Sequence, residues 1–115
     1  MTKVMMLYDN NVVCGFHMEG HARFNLGGPD VICASLSAAS QLTINGLLDW
    51  IGCDYEDIVK LNDVVQGLLR IELPKPMYAN ATAQQLFKAF EIYIKLLSEQ
   101  YPENVRLIER SEEEE

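Results

Sequence analysis

The chain opens with two short, mainly apolar runs of the length that is typical of paired strands. Val4 to Tyr8 and Val12 to Met18 are two such runs. Between them, Asp9-Asn10-Asn11 has short polar side chains that tolerate turn dihedrals. The pattern predicts a β-hairpin at the start of the chain.

Apolar residues recur at helical spacing after an irregular stretch from Arg23 to Pro29. Asp30 is suited to the N-cap of a helix, and Gly52 is suited to its left-handed C-terminal stop. These signals predict a helix from Val31 to about Ile51. The residues that recur at helical spacing and predict its apolar face are Leu36, Ala39, Thr43, Leu47 and Trp50.

A second strand pair is predicted in Tyr55 to Leu61 and Val64 to Leu73, joined around Asn62-Asp63. Gly67 weakens the later strand and is typical of a bulge. Pro74-Lys75-Pro76 ends that strand, because proline cannot continue the ladder of hydrogen bonds.

A second amphipathic helix and a closing strand complete the pattern. Asn80 or Thr82 caps this helix, Pro102 stops it, and Val105 to Glu109 forms the last strand. The order ββαββαβ predicts an α+β fold with two helices packed on a mixed, mainly antiparallel sheet. The apolar face of the second helix is predicted to consist of Leu86, Phe90, Tyr93, Ile94 and Leu97.

Length and charge limit the classes of protein that fit. The 115 residues predict a single domain over residues 1–110, followed by an acidic tail at 111–115 that we expect to fray. A net charge of −8 disfavours direct binding of nucleic acid. It suits a basic partner, or it serves solubility alone.

The compartment is predicted from the cysteines and from the N-terminal segment. The chain has three cysteines, Cys14, Cys33 and Cys53, whose spacing resembles no disulfide framework. We therefore expect free thiols in a reducing cytoplasm. No signal segment follows Met1, and no apolar run approaches the length of a membrane span. The sequence therefore predicts no membrane association.

Cys33 and His21 are the residues whose types and placement suggest catalysis. If Asp30 is the N-cap, Cys33 is the third helical residue, where the helix dipole favours a thiolate and the Asp30 carboxylate opposes one. His21 precedes Cys33 by twelve residues, so the loop between them is long enough to bring an imidazole to the sulfur. A thiolate–imidazolium pair is an activated nucleophile.

Several neighbours could support such a site. Asp30 could orient His21 as well as cap the helix, and Ser37 lies one helical turn after Cys33 on the same face. Gly20, Gly27 and Gly28 could let the loop fold around a peptide or present N–H groups to an oxyanion. The alternative is structural: a buried small cysteine, a surface histidine and an ordinary flexible loop.

Zinc binding is a competing interpretation of the same region. Cys14, His17 and His21 have the spacing C-x2-H-x3-H, which superficially suits zinc. Side chains alternate along a strand, so Cys14 and His17 should point to opposite faces. We interpret the pattern as accidental and expect no metal and no cofactor.

Two short segments together resemble the ribosomal-processing cysteine protease family called Prp. They are Gly20-His21-Ala22 and Asp30-Val31-Ile32-Cys33-Ala34-Ser35-Leu36-Ser37-Ala38. The family signature is G-H-A, a glycine-containing loop, and D-[IV]-[VI]-C-A-x-x-S-A. The chain departs from it in having Pro29 before Asp30 and a bulky, apolar Arg23-Phe24-Asn25-Leu26 in the loop.

The resemblance implies a function. Cys33 would be the nucleophile and His21 the base, with Asp30, Ser37 and Gly20 as supporting residues and Gly27 and Gly28 in the substrate loop. The substrate would be the N-terminal segment of a large-subunit ribosomal protein, an extended apolar extension cut after Phe. Members of the family form homodimers.

Two further hypotheses remain open from the sequence alone. The chain could be a non-catalytic, ribosome-associated dimer that binds a peptide without cutting it. It could also be a redox sensor that uses Cys33, with Cys14 or Cys53 as the resolving thiol.

Overall fold

The computed structural model describes residues 1–20, 28–63 and 65–111. The chain opens with the predicted hairpin, in which β1 (Thr2–Asp9) pairs antiparallel with β2 (Val12–Glu19). Asn10 turns the chain with a φ of 58°, a conformation that asparagine tolerates better than most residues. The prediction of a hairpin at this position is confirmed.

Five strands form one sheet in the order β3-β4-β2-β1-β5. The remaining strands are β3 (Val59–Asp63), β4 (Leu68–Glu72) and β5 (Val105–Ser111). Only β1 and β5 pair in parallel, and the other neighbours are antiparallel. The predicted α+β fold with a mixed, mainly antiparallel sheet is confirmed.

Two long helices cover the sheet. They are α1 (Gly28–Asp49) and α3 (Ala81–Gln100), and a one-turn helix α2 (Tyr55–Ile58) lies between them in the chain. A 3-10 turn, Lys75–Met77, follows β4. The side chain of Asn80 accepts a hydrogen bond from the Ala83 N–H at 2.9 Å, so Asn80 rather than Thr82 is the cap of α3.

The core lies between the helices and one face of the sheet. Phe16 of β2 stacks on Phe90 with ring centroids 4.3 Å apart and meets Phe87 edge-on at 6.4 Å. Both partners belong to α3, so this cluster fixes α3 over the centre of the sheet. Gly46 brings α1 close to α3, because a Cβ there would collide with the side chain of Leu86.

The first helix begins earlier than its sequence predicted. It starts at Gly28 rather than Val31, so Pro29 and Asp30 lie within its first turn. The prediction that Asp30 is the N-cap is therefore wrong. Proline fits a first helical turn because the N–H that it lacks would have no intrahelical partner there. Trp50 is also misplaced in the prediction, since it lies past the helix end and is 75% exposed.

The second strand pair is shifted relative to its prediction. Residues 55–58 form α2 rather than the start of a strand, and the turn lies around Gly67 instead of at Asn62-Asp63. Gly67 has a φ of 70° and belongs to this turn, not to a strand bulge. The bulge of this hairpin lies between Val59 and Leu61 in β3.

One helix is apolar throughout much of its length. Residues Val31–Asp49 of α1 are long and apolar enough to cross a membrane, so the statement that no segment approaches such a span is wrong for this helix. In the fold, its inward face packs on the sheet through Ile32, Leu36 and Leu47, all nearly inaccessible to solvent. This is the packing of a core helix in a globular domain.

Candidate active site

Cys33 opens into a cleft between α1 and the sheet. It is the sixth residue of α1 and is partly exposed. Leu36 and Ser37 of the same helix line this cleft with it, and the cavity has a volume of about 370 Å³. Ser37 is one helical turn from Cys33 and lines the same cavity.

The floor of the cleft crosses three strands. Met18 of β2 pairs with Leu69 of β4, and Leu69 pairs with Asn62 of β3. All three residues line the cavity. Ser40 fixes α1 above this floor, because its Oγ lies 3.0 Å from the Met18 sulfur and 2.8 Å from the Leu36 carbonyl oxygen.

Gly20 ends β2 at the rim of the cleft. Its φ of +106° lies in a region that favours glycine, and a Cβ at this position would overlap the carbonyl oxygen of Met1. Its N–H donates to the carbonyl of Gly67 at 3.0 Å, which ties the end of β2 to the β3–β4 turn. Glycine is therefore required here by local geometry, independently of any motif.

The helix start changes the argument about Cys33. Because α1 begins at Gly28, Cys33 lies in the second turn rather than at the third helical position. The helix dipole falls off within the first turn, so its predicted stabilisation of a thiolate is weaker than the sequence suggested. Gly28 was predicted in the loop and is instead the first residue of the helix.

The remaining candidate residues lie outside the part of the chain that the structure describes. These residues are His21, the bulky loop segment 23–26 and Gly27. The pairing of His21 with Cys33, and the roles of Asp30 and Gly27 as a supporting and a loop residue, stay predictions.

The premise of the zinc argument fails because β2 is not regular. The register shifts in this strand pair, where Leu7 pairs with Gly15 and Tyr8 pairs with Val13, and both Val13 and Phe16 join the core although they are three residues apart. Strict alternation therefore cannot place Cys14 relative to His17. The Cys14 thiol is buried and donates to the Leu7 carbonyl oxygen at 3.4 Å.

Within residues 1–20, 28–63 and 65–111, no group of three His, Cys, Asp or Glu side chains could hold an ion.

Sequence reasoning missed two polar residues of the cleft. Tyr55 and Asn62 line it together with Cys33. The Nδ2 of Asn62 donates to the Tyr55 hydroxyl at 3.1 Å. Asn62 was predicted in a turn, and the placement of these residues depends on the β3–β4 register, for which the local sequence has no signal.

A thiol in a peptide-sized cleft on this α+β fold defines a candidate cysteine peptidase, and comparison with known proteins agrees. Residues 1–106 match the family described as cysteine protease Prp. The chain belongs to this family and is a cysteine protease.

Solved structures share the fold over nearly the whole chain. SMU.848 from Streptococcus mutans is 24% identical with a TM-score of 0.85, over 97% of this chain and 96% of that one. The ribosomal processing protease Prp from S. aureus, with a covalently linked product peptide, is 27% identical with a TM-score of 0.75, over 96% of this chain and 100% of that one. The same protease with a substrate peptide is 24% identical with a TM-score of 0.78, over 96% of this chain and 100% of that one. No curated protein sequence matches the chain.

Proposed function

We propose that this protease removes the short N-terminal extension of a large-subunit ribosomal protein and that Cys33 is its nucleophile. Family membership supports proteolysis, and the similar S. aureus protein is an essential ribosomal processing protease. The observation that carries the proposal is the position of Cys33, whose partly exposed side chain lines a mainly apolar cleft. An apolar peptide matches such a cleft in polarity.

The proposed reaction is acyl transfer through a thioester. His21 takes the proton of the Cys33 thiol, and the thiolate attacks the scissile carbonyl carbon. The tetrahedral oxyanion accepts hydrogen bonds from backbone N–H groups at the start of α1 or in the loop that contains Gly27. His21 then protonates the leaving amine. Water attacks the thioester with His21 as base, which releases the N-terminal fragment and restores the thiol.

The supporting residues have distinct proposed roles. Asp30 orients His21 from the first turn of α1, and Ser37 hydrogen-bonds near the reacting groups from the next turn after Cys33. Gly20 sets the direction in which the chain leaves β2 toward His21. Gly27 and Gly28 let backbone N–H groups approach the substrate.

A peptide that spans the predicted junction, with Phe before the scissile bond, tests this function. Cleavage is expected with the wild-type protein and with Cys53→Ala, whose thiol lies outside the cleft. Cys33→Ala and His21→Ala should each lower kcat/KM by roughly a thousandfold or more. Cleavage by Cys33→Ala at the wild-type rate would reject the proposal.

We also propose that the protein acts as a homodimer, and the surface between α1 and α3 supports this. A groove of about 620 Å³ runs between these helices, and none of the described residues that line it is charged. Val31 and Leu42 on α1, with Tyr93 on α3, are exposed apolar residues there. Two copies with a net charge of −8 repel elsewhere, so an uncharged surface is the one where they can meet.

The oligomeric state tests this surface. Light scattering after size exclusion should give the mass of two chains for the wild type and of one chain for Leu42→Glu. Trp50→Glu is the matched control, since Trp50 is similarly exposed just past the end of the same helix but does not line the groove. A dimeric Leu42→Glu variant would exclude this interface.

A cytoplasmic location is proposed with the same function, because ribosomal proteins are processed where ribosomes assemble. The three cysteines form no disulfide, which fits a reducing compartment. Fractionation of cells that express the tagged protein would test the location, and recovery with membranes would contradict it.

A further inference from the structure

The aromatic ring of Tyr55 lines the cleft and is held by a neighbouring side chain. Tyr55 begins α2 and Asn62 lies in β3, and the hydrogen bond between their side chains is 3.1 Å long. The side chain of Tyr55 is nevertheless well exposed, at 48% for the residue. A ring that is held in place and still open to solvent can bind a partner at little cost in conformational entropy.

Tyr55 and Cys33 line one cavity, and the sheet beneath it gives a scale for its width. Across the floor, Met18, Leu69 and Asn62 occupy three neighbouring strands. Two inter-strand spacings amount to roughly 10 Å, which is the length of about three residues of extended peptide. A peptide with its scissile bond at Cys33 can therefore bring a side chain a few residues away to Tyr55.

The chemistry of the cleft indicates which side chain fits. Leu36, Ile44 and Leu69 are apolar residues of its walls and floor. Among the described lining residues, Asp63 alone is charged, and its Oδ1 already accepts from the Gln66 N–H at 3.0 Å within the turn. Because its lining is mainly apolar, the cleft favours an apolar side chain over a charged one.

We propose that Tyr55, held by Asn62, is a specificity-determining residue that binds an apolar side chain a few residues from the bond that Cys33 attacks. The inference rests on the proposed function, since it takes Cys33 as the point of attack. It assigns to the α2–β3 segment, which lies outside the catalytic motif, the selection of a remote substrate position. Aromatic side chains in partly enclosed sites are typical of residues that dominate binding energy.

The test pairs protein variants with a peptide series. The cleavable peptide is replaced by alanine at each of four positions on either side of the scissile bond. Each peptide is assayed with wild type, Tyr55→Ala, Asn62→Ala and the control Tyr101→Ala, whose tyrosine is similarly exposed but lies outside the cleft. Thermal unfolding of each variant confirms that it is folded.

The expected result is a change in binding at one substrate position. Tyr55→Ala should raise KM for the parent peptide roughly tenfold, equivalent to about 1.4 kcal/mol, with little change in kcat. Alanine at one apolar position two to four residues from the cut should weaken binding in the wild type but not in Tyr55→Ala. Asn62→Ala should show the same pattern to a smaller extent, because the ring remains but is no longer held.

Binding to Cys33→Ala separates failure of this inference from failure of the proposed function. If the wild type cleaves none of the peptides, the proposed function fails. The role of Tyr55 in binding is then tested by the affinity of a fluorescent parent peptide for Cys33→Ala and for the double variant that also carries Tyr55→Ala. Equal affinities, or equal KM values for Tyr55→Ala and Tyr101→Ala, would overturn the inference. A loss that is the same for every peptide would overturn it too.

Discussion

The Tyr8 hydroxyl lies 2.8 Å from both carboxylate oxygens of Glu91 and donates its hydrogen bond to that group. The pair joins β1 to α3 across the core, and Glu91 is only 8% exposed. Burial raises the pKa of Glu91 above its ordinary value of 4.5, and the nearby Glu109 carboxyl raises it further, while Tyr8 and Lys88 act in the opposite direction. The folded protein therefore holds a proton on Glu91 more tightly than the unfolded chain.

This relationship predicts a pH dependence of stability. Between pH 4.5 and the raised pKa of Glu91, the native state binds more protons than the unfolded state, so the free energy of unfolding falls as pH rises. Glu91→Gln removes the titrating group and should flatten this part of the profile. Denaturant unfolding at a series of pH values measures the slope.

Glu99→Gln is the control for that experiment, because Glu99 is an exposed residue of the same helix. It should leave the slope unchanged. A Glu91→Gln profile that coincides with the wild type over this range would contradict the account of Glu91.

Gln84 connects α3 to the bulged part of β2. Its Oε1 accepts from the Val13 N–H at 2.9 Å, and its Nε2 donates to the carbonyl oxygens of Val13 at 2.7 Å and Tyr78 at 2.9 Å. Gln84→Ala should lower the free energy of unfolding by about 2–3 kcal/mol, since it leaves backbone groups without their partners. The neighbouring Gln85 is exposed, and Gln85→Ala should change stability by less than about 0.5 kcal/mol. Equal losses of unfolding free energy in both variants would show that the three hydrogen bonds of Gln84 do not stabilise the fold.

Gly20 combines a left-handed conformation with a lack of space. Gly20→Ala should cost about 1–3 kcal/mol from backbone strain and more from the overlap with Met1. Gly52→Ala is a matched control, because Gly52 also has a positive φ, of +82°, but no atom lies within 4 Å of the added Cβ. The difference between the two unfolding free energies isolates the steric part. A Gly20→Ala variant as stable as Gly52→Ala would contradict the close approach.

Local signals in the sequence predicted much of the fold. The asparagine turn of the hairpin and the Asn80 cap depend on one or two residues and their own backbone, so they can be read without knowledge of the tertiary structure. The start of α1 was misplaced because Gly28-Pro29 is typical of a loop, although proline is compatible with a first helical turn. The segment 55–58 was misplaced because one turn of helix is too short to show a helical period.

The candidate site was only partly predictable for a related reason. The motif located Cys33 and Ser37, which are neighbours along one helix face. Tyr55 and Asn62 reach the same cleft through the pairing of β3 with β4, and Gln84 reaches Val13 across 71 positions of the chain. Contacts of this kind depend on strand register and helix placement, which single-sequence patterns do not specify.

The central claim is that Cys33 forms an acyl-enzyme, and intact mass spectrometry of the protein quenched in acid during peptide turnover tests it most directly. The account predicts a species heavier by the N-terminal cleavage fragment less one water, located on Cys33 by peptide mapping. The adduct should also form in Cys53→Ala and be absent from Cys33→Ala. Cleavage that continues in Cys33→Ala, or an adduct on any other residue, would contradict the account.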